Sequence, residues 1–312
     1  MSAKPSVVVA AMAANATIAV AKFGAGTLSG SSAMIAEGVH SLVDTGNQAL
    51  LLLGVKRSQK RADATHPFGY GKELYFWSLL VAMLLFGIGG GLSFYEGIHH
   101  LRAPTPIESP AWSYAVLAIA AVAEGISLTL ATRALLRESG DGLFAKLRRS
   151  KDPTRFVVFA EDSAALVGIA IAFAGVFAGE RLGTPVPDAL ASMLIGMVLA
   201  GVAVFLVVEC RNLLLGEGAD AETIAAIEEV VRAKPYVETM ERPLTMHFGP
   251  SEVLVNLEMA FRKERSAEQL ACDVEELERA IRARCPSVKR IFIEAQALRE
   301  GASGGREARP QG

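Results

Sequence analysis

Glu37, His40 and Asp44 recur at i, i+3 and i+7 in the stretch IAEGVHSLVDTGNQ, so on a helix they share one face, which Asn47 and Gln48 continue. An imidazole and a carboxylate four residues apart can grip one cation through nitrogen and oxygen, ligand types that suit zinc at about 2.0–2.2 Å. A second acidic pair, Glu161 and Asp162, stands in FVVFAEDSAALVG. Both stretches are otherwise apolar. An ionised group at the centre of a bilayer costs about 2.5–3.5 kcal/mol on insertion scales, so such residues face polar cavities and mark ion or proton pathways. At a rise of 1.5 Å per residue, Asp162 lies ~12 Å and Asp44 ~16 Å from one end of their helices. Two helices thus carry carboxylates at comparable depth, and a metal site between them becomes possible. The plainer alternative is hydrogen bonding between packed helices, which suits Asn15, Asn47, Gln48 and Glu124 as well. Glu37 and Glu209 sit nearer helix ends and suit structural roles, and Lys22 can snorkel to the interface.

The elements that must position these groups follow from composition. Of 312 residues, 51% are hydrophobic, and the formal net charge is only −2. With a mean hydropathy of +0.34, this predicts a membrane protein and argues against a nucleic-acid partner. The three cysteines form no CxxC pair, so neither a disulfide framework nor a thiolate zinc site is expected. Six stretches, about 6–28, 33–55, 74–98, 112–136, 154–178 and 188–215, approach the length that spans hydrocarbon. The first continues past Lys22 straight towards the second, which favours a retained helix over a cleaved signal. Residues 56–73 and 133–155 hold twelve Lys and Arg, while the alternate connections hold only Arg102 and Arg181. That asymmetry predicts both termini in the cytoplasm.

From Gly216 the texture changes: residues 216–297 carry sixteen acidic and eleven basic side chains and no spanning run. ADAETIAAIEEVVRA has helical spacing, PLTMHFGPSEVLVNLEMAF reads as a hairpin, SAEQLACDVEELERAIRARC as an amphipathic helix capped by Ser266, and VKRIFIEAQAL as a strand. The expected organisation is an all-α six-span transmembrane domain over 1–215, a small α+β, ferredoxin-like cytoplasmic domain over 216–297, and a disordered tail over 298–312.

GSSAMIAEGVHSLVDTGNQ, DATHPFGYGKE, DPTRFVVFAEDSAALVGIAIA and HFGPSEVLVNLEMAF, with Asn15 in the first span, resemble the corresponding segments of the cation diffusion facilitators. The HSLVDT-NQ and ED-AA wording is most similar to the branch that holds the mitochondrial zinc transporters of animals. The resemblance implies a homodimeric, proton-coupled exporter of divalent metal, with His40, Asp44 and Asp162 as transport ligands. The family's fourth ligand position is Val158 here, and Glu161 is expected to serve as a ligand or proton relay in its place. In the loop, Asp63 and His66 match an accessory metal site but a family histidine is Tyr70, so that site is expected to be weak or absent. Glu37 and Asn47 are further weak candidates for accessory metal or relay. In the cytoplasmic domain the family's ligand histidines correspond to Asn256 and Glu294, which leaves His247 in a structural role. His99 and His100, on the outer face, read as interfacial or solvated.

The expected cycle binds metal at deprotonated His40, Asp44 and Asp162 from the cytoplasm, then releases it outside as protons compete for the same groups. Imidazole titrates near neutrality, which suits that exchange. The substrate is expected to be zinc, with manganese, iron or cobalt as alternatives, and no prosthetic group is implied. Two other classes stand against this: a membrane metalloenzyme, for which no oxyanion stabiliser is found, and a non-transporting metal-binding regulator, raised by Val158. A bacterial cytoplasmic membrane is the expected location.

Overall fold

The computed structural model of the chain describes residues 5–104, 110–136, 151–262 and 264–296. Arg137, Lys146, Arg148 and Arg149 of the second basic segment, and the tail expected over 298–312, lie outside the described residues. The chain divides into two compact units between Gly216 and Glu217.

The first unit is helical. Its described helices are α1 (Pro5–Ser29), α2 (Ser32–Ser58), α3 (Glu73–Arg102), α4 (Pro110–Leu136), α5 (Pro153–Leu182) and α6 (Val186–Leu215). Among the described residues, α3 to α6 are long and apolar enough to cross a membrane. The ends follow capping chemistry. Ser31 Oγ accepts from Met34 N at 3.2 Å to start α2, and Asp152 accepts from Thr154 N at 3.1 Å just before Pro153 starts α5. Gly183, at φ +64°, closes α5 in the left-handed conformation that glycine adopts without penalty.

α2 is the central helix, packed against α1, α3, α5 and α6, which is why its polar face can be buried. α3 is interrupted by a π-helical turn over Leu85–Gly90, which packs against α6. Glycines of α3 bring two backbones together: a β-carbon on Gly90, in the GIGGG run, would meet the Gly196 carbonyl, and one on Gly97, two turns on, would meet Met193 and the Ala189 carbonyl. Small residues permit that approach, as expected for helices packed in lipid. The buried Asp188 carboxylate on the first turn of α6 then holds the start of α2. It accepts from Ser31 Oγ at 2.6 Å, Ser32 N at 2.6 Å, Ser32 Oγ at 3.0 Å and Ala33 N at 3.2 Å. Backbone donors that a helix leaves unpaired at its start are satisfied from a neighbouring helix.

The second unit contains α7 (Ala221–Arg232), β1 (Val237–Met240), β2 (Leu244–Gly249), β3 (Glu252–Phe261), α8 (Ala267–Arg284) and β4 (Val288–Gln296). β2 and β3 form the expected antiparallel hairpin, while β4 runs parallel to β3 over Val253–Ala260. β1 pairs antiparallel with the far end of β3 and was not read from the sequence. Ile227, Val231, Leu257, Leu277 and Ile281 are fully buried between these helices and the sheet. Ser266 and Gln269 form a reciprocal capping box at the start of α8.

Candidate functional site

Helical spacing places Glu37, His40, Ser41, Asp44 and Asn47 in the interior of the first unit, all buried. His40 Nε2 lies 3.4 Å from Asp44 Oδ2 across one turn of α2. From α5, buried Glu161 and Asp162 approach the same region. Asn47 Nδ2 donates to Glu161 Oε1 at 2.7 Å, a bond that ties α2 to α5 at the level of the candidate site. Asp162 Oδ2 accepts from Ser127 Oγ of α4 at 2.7 Å. Glu124, one turn before Ser127, is also buried. Asp44 lies within electrostatic reach of Glu161, Glu124 and Asp162, and of the cation Lys22. Four carboxylates from three helices therefore share one buried region, an arrangement that repels itself unless cations or protons are present.

Several of these groups lack hydrogen-bond partners. Among the described residues, Glu37 Oε1, His40 Nδ1 and Nε2, Asp44 Oδ1, Asn47 Oδ1 and Gln48 Oε1 are buried without one. Buried polar atoms are ordinarily satisfied, so a stripe of unsatisfied donors and acceptors along one helix face fits a pathway for something polar. Among the described residues no three His, Cys, Asp or Glu side chains converge closely enough to enclose an ion. In this conformation His40 meets Asp44, and Asp44 lies in electrostatic reach of Glu161 and Asp162, without a closed coordination shell. Val158, one turn before Asp162, is half-buried and offers no donor atom.

Lys22 corrects the expectation that it snorkels. It is fully buried, and its Nζ lies 2.8 Å from Glu37 Oε2 and 2.8 Å from Ser41 Oγ. A charged amine this deep needs a paired carboxylate, and Glu37 supplies it. Glu37 in turn lies against Gly168 of α5, where a β-carbon would collide with its carboxylate. Sequence spacing gives Lys22 the wrong role and does not single out Ser41, Ser127 or Asp188. A lysine inside an apolar run, fifteen residues before a glutamate in the next helix, is the signal that could have found the first.

The remaining candidates lie elsewhere. In the loop between α2 and α3, Asp63 accepts five hydrogen bonds: from Lys60 Nζ, Tyr70 OH, Thr65 N, Thr65 Oγ1 and His66 N. The His66 ring stacks 4.2 Å from Tyr70. These contacts brace the loop and leave the carboxylate saturated by protein donors. At the other end of the bundle, Glu96, His99 and His100 line a cavity of about 570 Å³ with Ser31 and Ser32. In the second unit, His247 is buried with Nδ1 3.3 Å from the Gly249 carbonyl, while Glu294 is exposed and Asn256 half-buried.

The cation efflux transmembrane domain family matches residues 8–215. The chain is 34% identical over 258 residues to the mitochondrial proton-coupled zinc antiporter SLC30A9 of Homo sapiens, which covers 82% of this chain and 45% of that protein. It is 32% identical over 243 residues to metal tolerance protein C4 of Arabidopsis thaliana, covering 77% of this chain and 53% of that one. To the cation-efflux pump FieF of Escherichia fergusonii it is 26% identical over 252 residues, covering 80% and 79% respectively. The chain spans about half the length of the first relatives it matches.

Proposed function

Because the chain belongs to the cation efflux family, the cation diffusion facilitators, near the branch of the mitochondrial zinc antiporters, we propose that it exchanges a divalent transition metal for protons across a membrane. The observation that supports this reading is the His40–Asp44 pair buried on α2, with Asp44 in electrostatic reach of Glu161 and Asp162 on α5 and the Asn47–Glu161 bond joining the two helices.

In this reading α1 and α2 cross the membrane with α3 to α6, giving six spans with both termini in the cytoplasm, and the second unit forms a ferredoxin-like cytoplasmic domain. His40, Asp44 and Asp162 hold the ion, and Glu161 completes the set or carries a proton in place of a ligand at Val158. A metal must displace protons from these groups to bind, and protons arriving from the other side displace the metal in turn. Asn47 and Ser127 hold the α5 carboxylates, so a shift of α2 against α5 would remake the ligand set. One imidazole with two or three carboxylates accepts zinc, manganese, iron or cobalt, and the affinity order favours zinc over manganese and iron. A homodimer in a bacterial cytoplasmic membrane completes the proposal.

The test is uptake of Zn²⁺, Mn²⁺, Fe²⁺ and Co²⁺ side by side into proteoliposomes, with and without an imposed pH gradient. Zinc flux that rises with the gradient is expected. Flux indifferent to the gradient would remove the antiport, and a stronger response to another ion would replace zinc as the substrate.

A further inference from the structure

The braced loop between α2 and α3 raises a question that transport does not answer: what its rigidity serves. With Asp63 saturated, Gly69 in the left-handed region at φ +85° and Lys60 4.2 Å over the Tyr70 ring, the loop is held by its own side chains. It forms one wall of a cavity of about 420 Å³, and the other walls are the end of α2, the first turns of α3 and Leu214 at the end of α6. Two cations line it. Arg57, on the last turn of α2, is more than half exposed, has its guanidinium 5.7 Å over the Trp77 ring, and meets Glu73 only loosely at 4.0 Å. Lys72 lies against the end of α6, its Nζ donating to the Leu214 carbonyl at 3.2 Å. Glu73 is committed elsewhere through one oxygen, which accepts from Trp77 Nε1 at 2.7 Å.

We propose that this cavity binds the phosphate headgroup of an anionic phospholipid through Arg57 and Lys72. A guanidinium offers five donors, and a single contact at 4.0 Å leaves most of them for a ligand phosphate. The occupant is a lipid rather than a soluble anion because an apolar wall continues outward from the charged one. Phe76, 51% exposed, and Trp77 stand on the first turns of α3, a helix able to cross the membrane. Indole rings settle at the headgroup level of bilayers, and basic pockets between spanning helices select anionic headgroups. A lipid seated here would bridge α2, α3 and α6, joining the far ends of the helices that Asp188 joins at the other end.

Trp77 is itself the reporter, since Trp112 is the only other tryptophan. Full-length protein carrying Trp112→Phe is reconstituted in brominated phosphatidylcholine diluted with increasing unbrominated phosphatidylglycerol or, in parallel, unbrominated phosphatidylcholine. Quenching of Trp77 then reports which lipid occupies the adjoining position. Phosphatidylglycerol is expected to relieve quenching about fivefold more effectively than phosphatidylcholine, with Arg57→Gln and Lys72→Gln each bringing that ratio close to one. Arg61→Gln, outside the cavity, should leave it unchanged. Inorganic phosphate added at millimolar concentration should not abolish the preference; if it does, the site takes free phosphate and the lipid proposal fails. A wild-type ratio of one overturns the proposal, as does a preference that survives both cavity variants or falls equally in Arg61→Gln. The latter two outcomes would mean diffuse surface attraction. None of these readouts depends on metal flux.

Discussion

The buried residues of α2 do two kinds of work. His40 and Asp44 keep buried atoms without hydrogen-bond partners, while Glu37, one turn earlier, pairs through Oε2 with Lys22. Removing one member of a buried ion pair strands the other, at a cost of about 3–5 kcal/mol. Lys22→Met should therefore lower the thermal unfolding temperature sharply, and Lys22→Met combined with Glu37→Gln should recover most of the loss. If the double variant is no better than the single one, the pair is not the stabilising unit. Asp63 gives a prediction with a pH sign. The Tyr70 hydroxyl, the His66 amide and Lys60 hold its carboxyl well below the usual carboxylate range. A depressed value in the folded loop means its contribution is intact above the unfolded value of about 3.9 and is lost only as pH falls below that. Hydrogen exchange of the Thr65 and His66 amides should stay protected from neutrality to pH ~4 in the wild type, and Asp63→Ala should lose protection across the whole range. Equal exchange in variant and wild type would remove the brace. That His40, Asp44 and Asp162 lie inside the bundle was legible in the sequence, because ionisable groups stand out in apolar runs. Lys22 was misread because its partner lies on another helix, and single-helix spacing cannot show that.

At the scale of elements, α2 is fixed at one end by Asp188 and crossed near its middle by the Asn47–Glu161 bond. Asp188→Ala would leave the donors of Ser31, Ser32 and Ala33 without their acceptor. A buried donor left unpaired costs about 1–3 kcal/mol, so a loss at the upper end of that range or beyond is expected in chemical or thermal unfolding. Asp188→Asn, which keeps one acceptor oxygen, should lose less; if both variants unfold like the wild type, the α2 start is held by other contacts. Gly97→Val tests the contact of α3 with α6, because its side chain would enter the Met193 and Ala189 contact. An overpacking cost of about 1–3 kcal/mol is expected in the same assay, and wild-type stability would show the helices able to part. The helices were legible because capping residues and apolar runs are local signals. The role of Asp188 was not, since an acidic residue on a first turn reads equally well as a favourable partner for its own helix dipole. β1 escaped for a related reason: VETM has four residues, and only its pairing with Met259, Ala260 and Phe261 makes it a strand.

For the molecule as a whole, the family assignment covers the helical unit, and the transport reading rests on what that unit buries. Four helices able to cross a membrane and the hairpin of the second unit could be read in advance from hydropathy and alternation. The meeting of α2, α4 and α5 could not, because no local pattern fixes which helix faces which. That meeting is the central claim, and flux through paired variants tests it most directly. Zinc uptake into proteoliposomes under an inward-favouring pH gradient would be compared for wild type, Asp44→Ala, Asp162→Ala and Arg61→Gln at equal incorporated protein. Removing a ligand from one shared site should lower uptake at least tenfold in both aspartate variants, the scale on which groups around a metal site act, while Arg61→Gln retains it. Uptake that persists in either aspartate variant would contradict a single substrate site shared by α2 and α5.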